Sequence, residues 1–258
     1  MTSSNTKIIS IVNQKGGVGK TSTAVNLSTA LSIIGKKTLV IDLDSQGNTS
    51  TGFGVKQEDR KFTIYQALFD SKLLDKAIIK NCIDKLPNLD LITSNTNLSA
   101  AELELTNLQK REYILANMLQ AYDHSYDYII IDCPPSLGLV TVNALVASTE
   151  VLIPMQCDFY SLEGLSHLLK TIEIVAKNLN PNIKIKGILF TMYDKRNKLT
   201  EQVEQDVRQC LGDLVFKTTI PRNVRISEAP SHGKPAIIYD HKCSGSAAYM
   251  ELTKEILK

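Results

Sequence analysis

The chain has 258 residues, of which 43% are hydrophobic, and a formal net charge of +2 at pH 7. This length and hydrophobic content can bury a substantial core, and we expect one domain spanning residues 1–258, with residues 1–6 flexible. No apolar run approaches the ~20 residues of a membrane span, and the first residues lack a charged and then apolar signal region. The sequence therefore predicts a cytoplasmic protein, while the nearly neutral charge gives no argument for nucleic-acid binding.

The first predicted elements flank a glycine-rich string. Residues 7–13 are typical of a buried strand, and residues 24–34 carry apolar side chains at helical spacing up to Gly35. Between them, residues 13–22 read Asn-Gln-Lys-Gly-Gly-Val-Gly-Lys-Thr-Ser. A strand, a glycine-rich loop and a helix in this order are typical of a site for a nucleoside triphosphate.

Each residue type in this loop suits phosphate chemistry. Glycines let backbone N–H groups approach phosphate oxygens closely, Lys20 can reach the β- and γ-phosphates, and the Thr21 hydroxyl can hold Mg²⁺. The predicted nucleotide-binding residues of the loop are Lys15, Gly16, Gly17, Val18, Gly19, Lys20, Thr21 and Ser22.

The loop departs from the standard phosphate-binding motif at its start. Gln14 stands where the first glycine is usual, and a second lysine, Lys15, follows it. Two lysines around one triphosphate make sense if Lys20 serves the nucleotide of its own subunit while Lys15 reaches a nucleotide held by a facing subunit. Dimerisation and catalysis would then be coupled. The alternative is that Lys15 is an exposed loop lysine.

Two later apolar runs end in carboxylates. The run at residues 38–44 ends in Asp42 and Asp44, with Ser-Gln-Gly-Asn following in a loop, and the run at residues 126–132 ends in Asp132. In an open α/β sheet, ligands bind at the carboxyl ends of the strands. We therefore expect the phosphate loop and these acidic groups to converge on one crevice, where Asp132 would serve the water shell of the metal.

Further predicted elements alternate along the chain. Helices are predicted at residues 63–69, 98–121, 138–147, 161–178, 199–211 and from residue 246 onward, and strands at residues 89–93, 151–154, 185–191 and 214–216. This alternation predicts an α/β fold, a single-domain doubly wound and mostly parallel sheet flanked by helices.

Four strings of the sequence resemble the ParA family of partition ATPases, which are P-loop NTPases with a deviant Walker A motif. They are Lys-Gly-Gly-Val-Gly-Lys-Thr at 15–21, Asp-Leu-Asp-Ser-Gln-Gly-Asn at 42–48, Asp-Cys-Pro-Pro-Ser at 132–136, and Ile-Pro-Arg-Asn-Val-Arg-Ile-Ser-Glu-Ala-Pro-Ser-His-Gly-Lys-Pro at 220–235. The likeness runs from about Lys7 to the end of the chain, and the last string is particular to the chromosomal Soj-type branch. Ser45 replaces the proline of many relatives.

This resemblance implies an ATP hydrolase whose catalytic residues are Lys15, acting in trans, and Asp44, which positions the attacking water. Asp42 could instead orient the shell around the metal. The resemblance implies ATP and Mg²⁺ as cofactors, with the metal held by Thr21, Asp44 and Asp132.

The resemblance also implies that Pro221 and Asn223 contact the adenine ring; alternatively, Pro221 only makes its loop rigid. GTP-specific relatives of this architecture usually carry an Asn-Lys-x-Asp string late in the sheet. Residues 191–194 read Thr-Met-Tyr-Asp and lack the asparagine and the lysine, which favours ATP over GTP.

Basic residues cluster late in the sequence, at Lys184, Lys186, Lys195, Arg196, Lys198, Arg222 and Arg225. Taken alone, such charges are often a solvated face. The resemblance implies a surface for non-specific double-stranded DNA, formed when two subunits bring their basic patches together in an ATP-dependent homodimer, and we predict that Arg196 and Arg225 carry it. The further partner it implies is a ParB-type centromere-binding protein, which would make the protein nucleoid-associated.

Two other functional classes stay open. A MinD-like membrane-cycling regulator of the division site needs a basic amphipathic helix at its C-terminus, whereas residues 249–258 favour the closing helix of the fold, so we expect no stable membrane anchor. A metal or electron carrier related to nitrogenase iron proteins would need Cys133 to ligate an iron–sulfur cluster. The five cysteines form no Cys-x-x-Cys pair and indicate reduced thiols.

Overall fold

The computed structural model describes residues 6–84, 86–122 and 125–258. Of residues 1–6, which the sequence analysis expects to be flexible, 1–5 lie outside the described residues. Thr6 is described, and its Oγ1 donates a hydrogen bond to the carbonyl of Tyr126 at 2.7 Å.

The described residues form a sheet with the strand order β3-β4-β2-β5-β1-β6-β7. The strands are β1 (Lys7–Ile11), β2 (Thr38–Asp42), β3 (Ile78–Ile79), β4 (Leu89–Ile92), β5 (Tyr128–Asp132), β6 (Glu150–Gln156) and β7 (Lys184–Thr191). Only the pairing of β3 with β4 is antiparallel among these strands. The predicted α/β fold with a mostly parallel sheet is confirmed.

Helices cover both faces of the sheet. The α-helices are α1 (Lys20–Ile33), α2 (Asn48–Gly52), α3 (Ile64–Phe69), α4 (Leu74–Ala77), α5 (Ala101–Thr106), α6 (Ile114–Ala121), α7 (Leu139–Ala147), α8 (Phe159–Asn178), α9 (Lys198–Leu211), α10 (Val224–Glu228), α11 (Ala236–Tyr239) and α12 (Ser244–Ile256). None of those in the described part of the chain has both the length and the apolar character that crossing a bilayer requires.

The sequence of β5 explains why the sheet is buried on both sides. Its side chains alternate between two cores, with Ile129 and Ile131 in one and Tyr128 and Ile130 in the other. Apolar residues at every position are typical of parallel strands that helices cover on both faces. On the second face, α1 and α12 pack together over the centre of the sheet.

Register brings the acidic strand ends together. Asp132 at the end of β5 pairs with Asp42 at the end of β2 on one side and with Ile11 of β1 on the other. The phosphate loop follows β1 at this same end of the strands. The backbone of β1, β2 and β5 therefore ends side by side where the crevice is predicted.

Two predicted elements are wrong. The helix expected at 98–121 is broken: α5 ends at Thr106, Lys110 has a left-handed φ of 51°, and α6 starts only at Ile114. The strand expected at 214–216 is instead a 3₁₀ turn over Gly212–Leu214, followed by a single bridge between Val215 and Ile188. The predicted loop after Asp44 is also shorter than expected, because α2 begins at Asn48.

Candidate nucleotide site

The phosphate loop is an open cradle at the start of α1. Gly17 and Gly19 have left-handed φ values of 73° and 85°, which glycine adopts without strain. Among the described residues, no atom lies within 4 Å of the place where a Cβ on Gly16 or Gly17 would be. The backbone at these positions therefore faces free space in front of the N-terminus of α1, where anions are favoured.

The loop is held from one side by β6 and β7, the two strands that follow β1 in the order of the sheet. Gln156, at the end of β6, donates from Nε2 to the carbonyl of Gly17 at 2.9 Å. Thr191, at the end of β7, donates from Oγ1 to the carbonyl of Val18 at 2.8 Å. Asn13 accepts the backbone N–H of Lys15 at 2.9 Å. The cradle is thus shaped before any ligand arrives.

The two loop lysines lie in different environments. Lys20 is 7% exposed, and its ammonium donates to the carbonyl of Lys15 at 3.2 Å. Burial lowers the pKa of Lys20, while the nearby carboxylates of Asp132 and Asp44 oppose this shift. The Lys15 side chain is 40% exposed, and its ammonium pairs with Asp158 at 2.5 Å.

Asp158 is a residue at the rim of the site that the sequence analysis missed. Partial burial alone would raise its pKa, but hydrogen bonds from Lys15 and Ser161 hold the pKa below its ordinary value. Asp158 follows the carboxyl end of β6 just as Asp44 follows the carboxyl end of β2. The rule used for the other strand ends could therefore have found it.

Asp132 lies beside the Thr21 hydroxyl at the end of β5. Oδ2 of Asp132 accepts hydrogen bonds from Thr21 Oγ1 at 2.8 Å and from Thr49 Oγ1 at 2.7 Å, and Thr49 is a second residue that the sequence analysis missed. Oδ1 of Asp132 is buried without a hydrogen-bond partner among the described residues. Burial, reinforced by the charge of Asp42, raises the pKa of Asp132 to about 7. An orphaned carboxylate oxygen beside a hydroxyl group fits a hard divalent cation with its water shell.

The structure separates Asp42 from Asp44. Asp42 is fully buried, and its carboxylate accepts hydrogen bonds from the backbone N–H and hydroxyl of Ser50 and from the backbone N–H of Asp44. Burial raises the pKa of Asp42 to about 6 despite these bonds. Asp44 is only half-buried, at the start of the turn that Gly47 closes with a hydrogen bond to the Asp44 carbonyl at 2.9 Å. This arrangement favours Asp44 over Asp42 as the carboxylate that faces the crevice.

The residues expected at the adenine ring lie in a separate loop beside β7. Pro221 bridges to Tyr193, just beyond the end of this strand. Asn223 caps α10 by accepting the backbone N–H of Arg225 at 2.8 Å, and its Nδ2 donates to Ser244 at 2.9 Å. Both polar ends of Asn223 therefore have partners within the protein, and the contacts of Pro221 and Asn223 with adenine stay predictions.

A cavity of about 390 Å³ connects this loop with the flank of the cradle. It is lined by Gln156, Asp158, Met192 and Arg222, and by residues at the start of α9. Because Gln156 also holds Gly17, the cavity begins where the phosphate loop is anchored.

The basic cluster divides into two groups. Lys184 and Lys186 lie at the first end of β7, whereas Lys195, Arg196 and Lys198 follow its other end. The predicted DNA residues have acidic neighbours: Arg196 pairs with Asp194 at 2.8 Å, and Arg225 pairs with Glu228 at 2.9 Å. Both arginines are exposed. They stay candidates for DNA contact, while Lys184 and Lys186 lie at the opposite end of β7.

Cys133 is placed in the core rather than at the crevice surface. Its side chain is 1% exposed and packs in the larger apolar cluster, and burial raises its pKa well above the ordinary value. In the part of the chain that the structure describes, no three His, Cys, Asp or Glu side chains group as a metal site.

The chain matches known proteins over most or all of its length. Residues 6–185 match the family model described as an AAA domain. The chain is 48% identical to the chromosome partitioning protein ParA of Caulobacter vibrioides, over 100% of this chain and 96% of that protein. It is 50% identical to the sporulation initiation inhibitor protein Soj of Bacillus subtilis, over 97% of this chain and 98% of that protein.

Solved structures show the same fold. A cobyrinic acid a,c-diamide synthase from Mycobacterium smegmatis with bound ADP and magnesium superposes with a TM-score of 0.84 at 32% identity, over 98% of this chain and 94% of that one. The septum site-determining protein MinD from Pyrococcus horikoshii with Mg-ADP has a TM-score of 0.77 at 27% identity, over 98% and 96%. A further relative, the chromosome-partitioning ATPase Soj of Treponema pallidum, is 47% identical over 97% of this chain and 97% of that protein. The match to these three relatives over nearly their whole length identifies the chain as a member of the ParA/Soj family of chromosome-partitioning ATPases.

Proposed function

We propose that the protein is an ATP-dependent switch that dimerises on ATP, binds double-stranded DNA without sequence preference, and hydrolyses ATP when a ParB-type partner stimulates it. The cycle would drive segregation of a chromosome or plasmid, with the ATP-bound dimer on the nucleoid. ATP and Mg²⁺ are the cofactors. The single observation that carries this proposal is the different placement of the two loop lysines.

Lys20 is buried and directed along the loop, so it is suited to the phosphates of its own nucleotide. Lys15 extends to the rim and is paired with Asp158 on a half-exposed surface. A lysine at the rim can transfer to a ligand held by a facing subunit without disturbing the cradle. This supports a dimer in which each Lys15 serves the partner's nucleotide.

The residues at the crevice fit magnesium. Thr21 and Asp132 would hold it, because the Asp132 Oδ1 atom is buried and unpaired among the described residues. When bound, the metal neutralises charge on the phosphate oxygens during phosphoryl transfer. The backbone N–H groups of the loop bind the phosphates, and Lys20 supplies a fixed positive charge beside them.

Asp44 is assigned to orient the attacking water. Phosphoryl transfer depends on positioning and charge stabilisation more than on covalent chemistry, and a half-buried carboxylate on a closed turn can hold a water molecule in place. Lys15 of the facing subunit stabilises the charge that develops in the transition state. Cations supplied in this way are worth roughly 10³–10⁵ in rate, so the monomer would be almost inactive.

DNA binding is assigned to a surface that includes Arg196 and Arg225. Their acidic partners are exposed or half-exposed, and surface ion pairs of this kind contribute little to stability. DNA phosphates can therefore replace Asp194 and Glu228. Two weak patches joined in one dimer bind more tightly than either does alone.

A MinD-like role is the second candidate, favoured by the structural likeness to MinD. The last helix counts against it. Tyr249, Leu252 and Ile256 of α12 are buried in the core against α1, so the apolar side of this helix is already covered. Co-sedimentation with liposomes and with DNA, each in the presence of ATP, separates the two roles.

The deciding experiment is the rate of ATP hydrolysis with DNA and with a peptide from the basic N-terminal segment of a ParB protein, added separately and together. We expect strong stimulation only by the combination. A rate that responds to anionic liposomes and ignores DNA would contradict the proposal.

A further inference from the structure

Arg60 is a buried arginine that lies behind the turn carrying Asp44. It is 7% exposed and follows a 3₁₀ turn over Gln57–Asp59. Its guanidinium donates to the carbonyl of Val55 at 2.7 Å, to the carbonyl of Ser94 at 3.0 Å and to Thr51 Oγ1 at 2.8 Å. The planar fork of arginine can satisfy several acceptors at once in a fixed geometry.

These contacts lead directly to the turn that carries Asp44. Thr51 Oγ1, which accepts from Arg60, donates to the carbonyl of Gly47 at 3.1 Å. The backbone N–H of Gly47 donates to the carbonyl of Asp44 at 2.9 Å, and that of Gln46 donates to Asp44 Oδ1 at 2.9 Å. Hydrogen bonds through Thr51 and Gly47 thus connect the guanidinium to the backbone carbonyl of Asp44. Within the same turn, the backbone N–H of Gln46 holds the Asp44 carboxylate.

Gly47 also packs directly against the guanidinium. A Cβ on Gly47 would lie 2.2 Å from Arg60 Nη1 and 2.9 Å from the carbonyl oxygen of Ser94, and its φ is 64°. The turn can approach Arg60 this closely only because residue 47 has no side chain.

A second path joins Arg60 to the other acidic strand end. Ser94, whose carbonyl accepts from Arg60, donates its backbone N–H to Ser50 Oγ at 3.0 Å. Ser50 Oγ in turn donates to Asp42 at 2.6 Å. Through Thr51 and Ser94, Arg60 therefore ties α2 to the segment that follows β4, and it stands within electrostatic reach of Asp42.

We infer that Arg60 is a positioning residue for ATP hydrolysis: through Thr51 and Gly47 it fixes the Asp44 turn and so sets where the Asp44 carboxylate lies. The inference rests on the role proposed for Asp44. Arg60 acts through the turn and touches no reacting atom, so its loss changes turnover while the phosphate cradle, which is anchored by β6 and β7, keeps its shape.

The test uses variants at both ends of the arginine contact. Thr51→Val removes the hydroxyl that links Arg60 to Gly47, and Thr51→Ser retains it. Arg60→Lys keeps a positive charge but loses the fork. The control is Thr106→Val, because Thr106 Oγ1 makes the same kind of bond to a carbonyl four residues earlier, that of Glu102, in the remote helix α5.

We expect Thr51→Val and Arg60→Lys to lower kcat for Mg·ATP by about tenfold to a hundredfold, since small displacements of a positioned group cost this much. The Kd for ATP should change less than twofold in both. Thr51→Ser and Thr106→Val should retain kcat. Wild-type kcat in both Thr51→Val and Arg60→Lys would overturn the inference, as would a loss in Thr51→Ser equal to that in Thr51→Val.

A double-mutant cycle with Asp44→Ala separates positioning from a merely structural effect. If Thr51 and Arg60 act through Asp44, then Thr51→Val lowers the residual single-turnover rate of Asp44→Ala no further. An equal additional loss in that background would overturn the inference. If Asp44→Ala alone hydrolysed ATP normally, the role proposed for Asp44 would fail; an inactive Asp44→Ala beside a normal Thr51→Val and Arg60→Lys would reject only the positioning role.

Discussion

At the scale of single residues, Lys20 and Lys15 differ in burial and in the charges around them. Desolvation lowers the pKa of Lys20 and so weakens its charged form, and the carboxylates of Asp132 and Asp44 only partly oppose this shift. The phosphates of a bound nucleotide add further negative charge and so favour the ammonium. Lys15 keeps contact with water and a carboxylate at the rim, which allows it to exchange partners.

The lysines should therefore differ on substitution. Lys20→Ala should abolish nucleotide binding, because the β- and γ-phosphates lose their own-subunit cation. Lys15→Ala should bind ATP almost normally but fail to form the closed dimer. Equilibrium nucleotide binding and light scattering distinguish the two, with Lys56→Ala as a control at an exposed lysine. Normal dimerisation and hydrolysis by Lys15→Ala would refute the trans-acting role.

Asp44→Ala should retain ATP and Mg²⁺ through Lys20, Thr21 and Asp132 while losing the carboxylate that positions water. The expected product is a dimer trapped with ATP. Size-exclusion chromatography with ATP should show this dimer persisting, whereas Asp213→Ala, at an exposed carboxylate of a remote turn, should behave as wild type. An Asp44→Ala protein that stays monomeric, or that hydrolyses ATP at the normal rate, would speak against the assignment.

At the scale of elements, the sequence predicted what local pattern determines. The glycines and lysine of the phosphate loop require a strand before them and a helix after them, and β1 and α1 are there. The break in the predicted helix 98–121 depends on distant partners. Glu102 caps α7 by accepting the backbone N–H groups of Leu139 and Val140. Asn143 of α7 accepts the backbone N–H of Leu115 in the first turn of α6.

The residues of the site also divide into those that local sequence predicts and those that depend on distant contacts. Asp132 and Asp44 could be predicted because each ends or follows a strand. Thr49 and Arg60 could not, because their roles depend on which side chains the sheet order brings near them. The strand predicted at 214–216 failed for a related reason: its apolar residues Val215 and Phe216 are buried against β7 without extending the ladder.

Two glycines test the packing of these elements. A Cβ on Gly187 of β7 would lie 2.6 Å from the Phe216 ring, whereas one on Gly164 of α8 meets no described atom within 4 Å. Gly187→Ala should therefore destabilise the fold by about 1–3 kcal/mol. Gly164→Ala should stabilise it by about 0.5–1 kcal/mol, because alanine favours a helix interior.

Thermal unfolding followed by circular dichroism measures both changes. At this chain length, each kcal/mol shifts Tm by about 2–4 °C, so the two variants should move in opposite directions from wild type. A Gly187→Ala protein with an unchanged Tm would mean that Phe216 repacks freely.

At the scale of the whole molecule, the net charge is +2, but basic residues are concentrated after β7 and in the α10 segment. The nearby carboxylates of Asp194 and Glu228 partly offset their charge. On the proposed function, such a surface should bind DNA only weakly as a monomer. Its affinity should depend strongly on salt, since phosphate contacts release counterions.

Arg196→Glu and Arg225→Glu should each weaken non-specific duplex binding several-fold or more and reduce its dependence on salt. Neither removes a group from the nucleotide crevice, so ATP-dependent dimerisation should survive. The measurement is a salt series of DNA binding with ATP, beside a dimerisation assay, with Arg111→Glu as a matched charge reversal elsewhere on the surface.

If the affinity for DNA and its dependence on salt were unchanged in both variants, Arg196 and Arg225 would be solvated surface residues with no part in DNA binding. Loss of dimerisation together with DNA binding would instead assign them to the subunit interface or to the fold.

A ribosome completes β1 long before it has made either of the strands that flank it. Lys7 pairs with Tyr128 of β5, and Ile11 with Leu152 of β6. At 5–20 residues per second, the wait is on the order of ten seconds. Throughout that time an isoleucine-rich segment emerges without its neighbours, and long-range pairing of this kind is slow and prone to aggregation. The strand that carries the phosphate loop is thus made first and paired late, so we expect the nucleotide site to form only after β5 and β6 have been made.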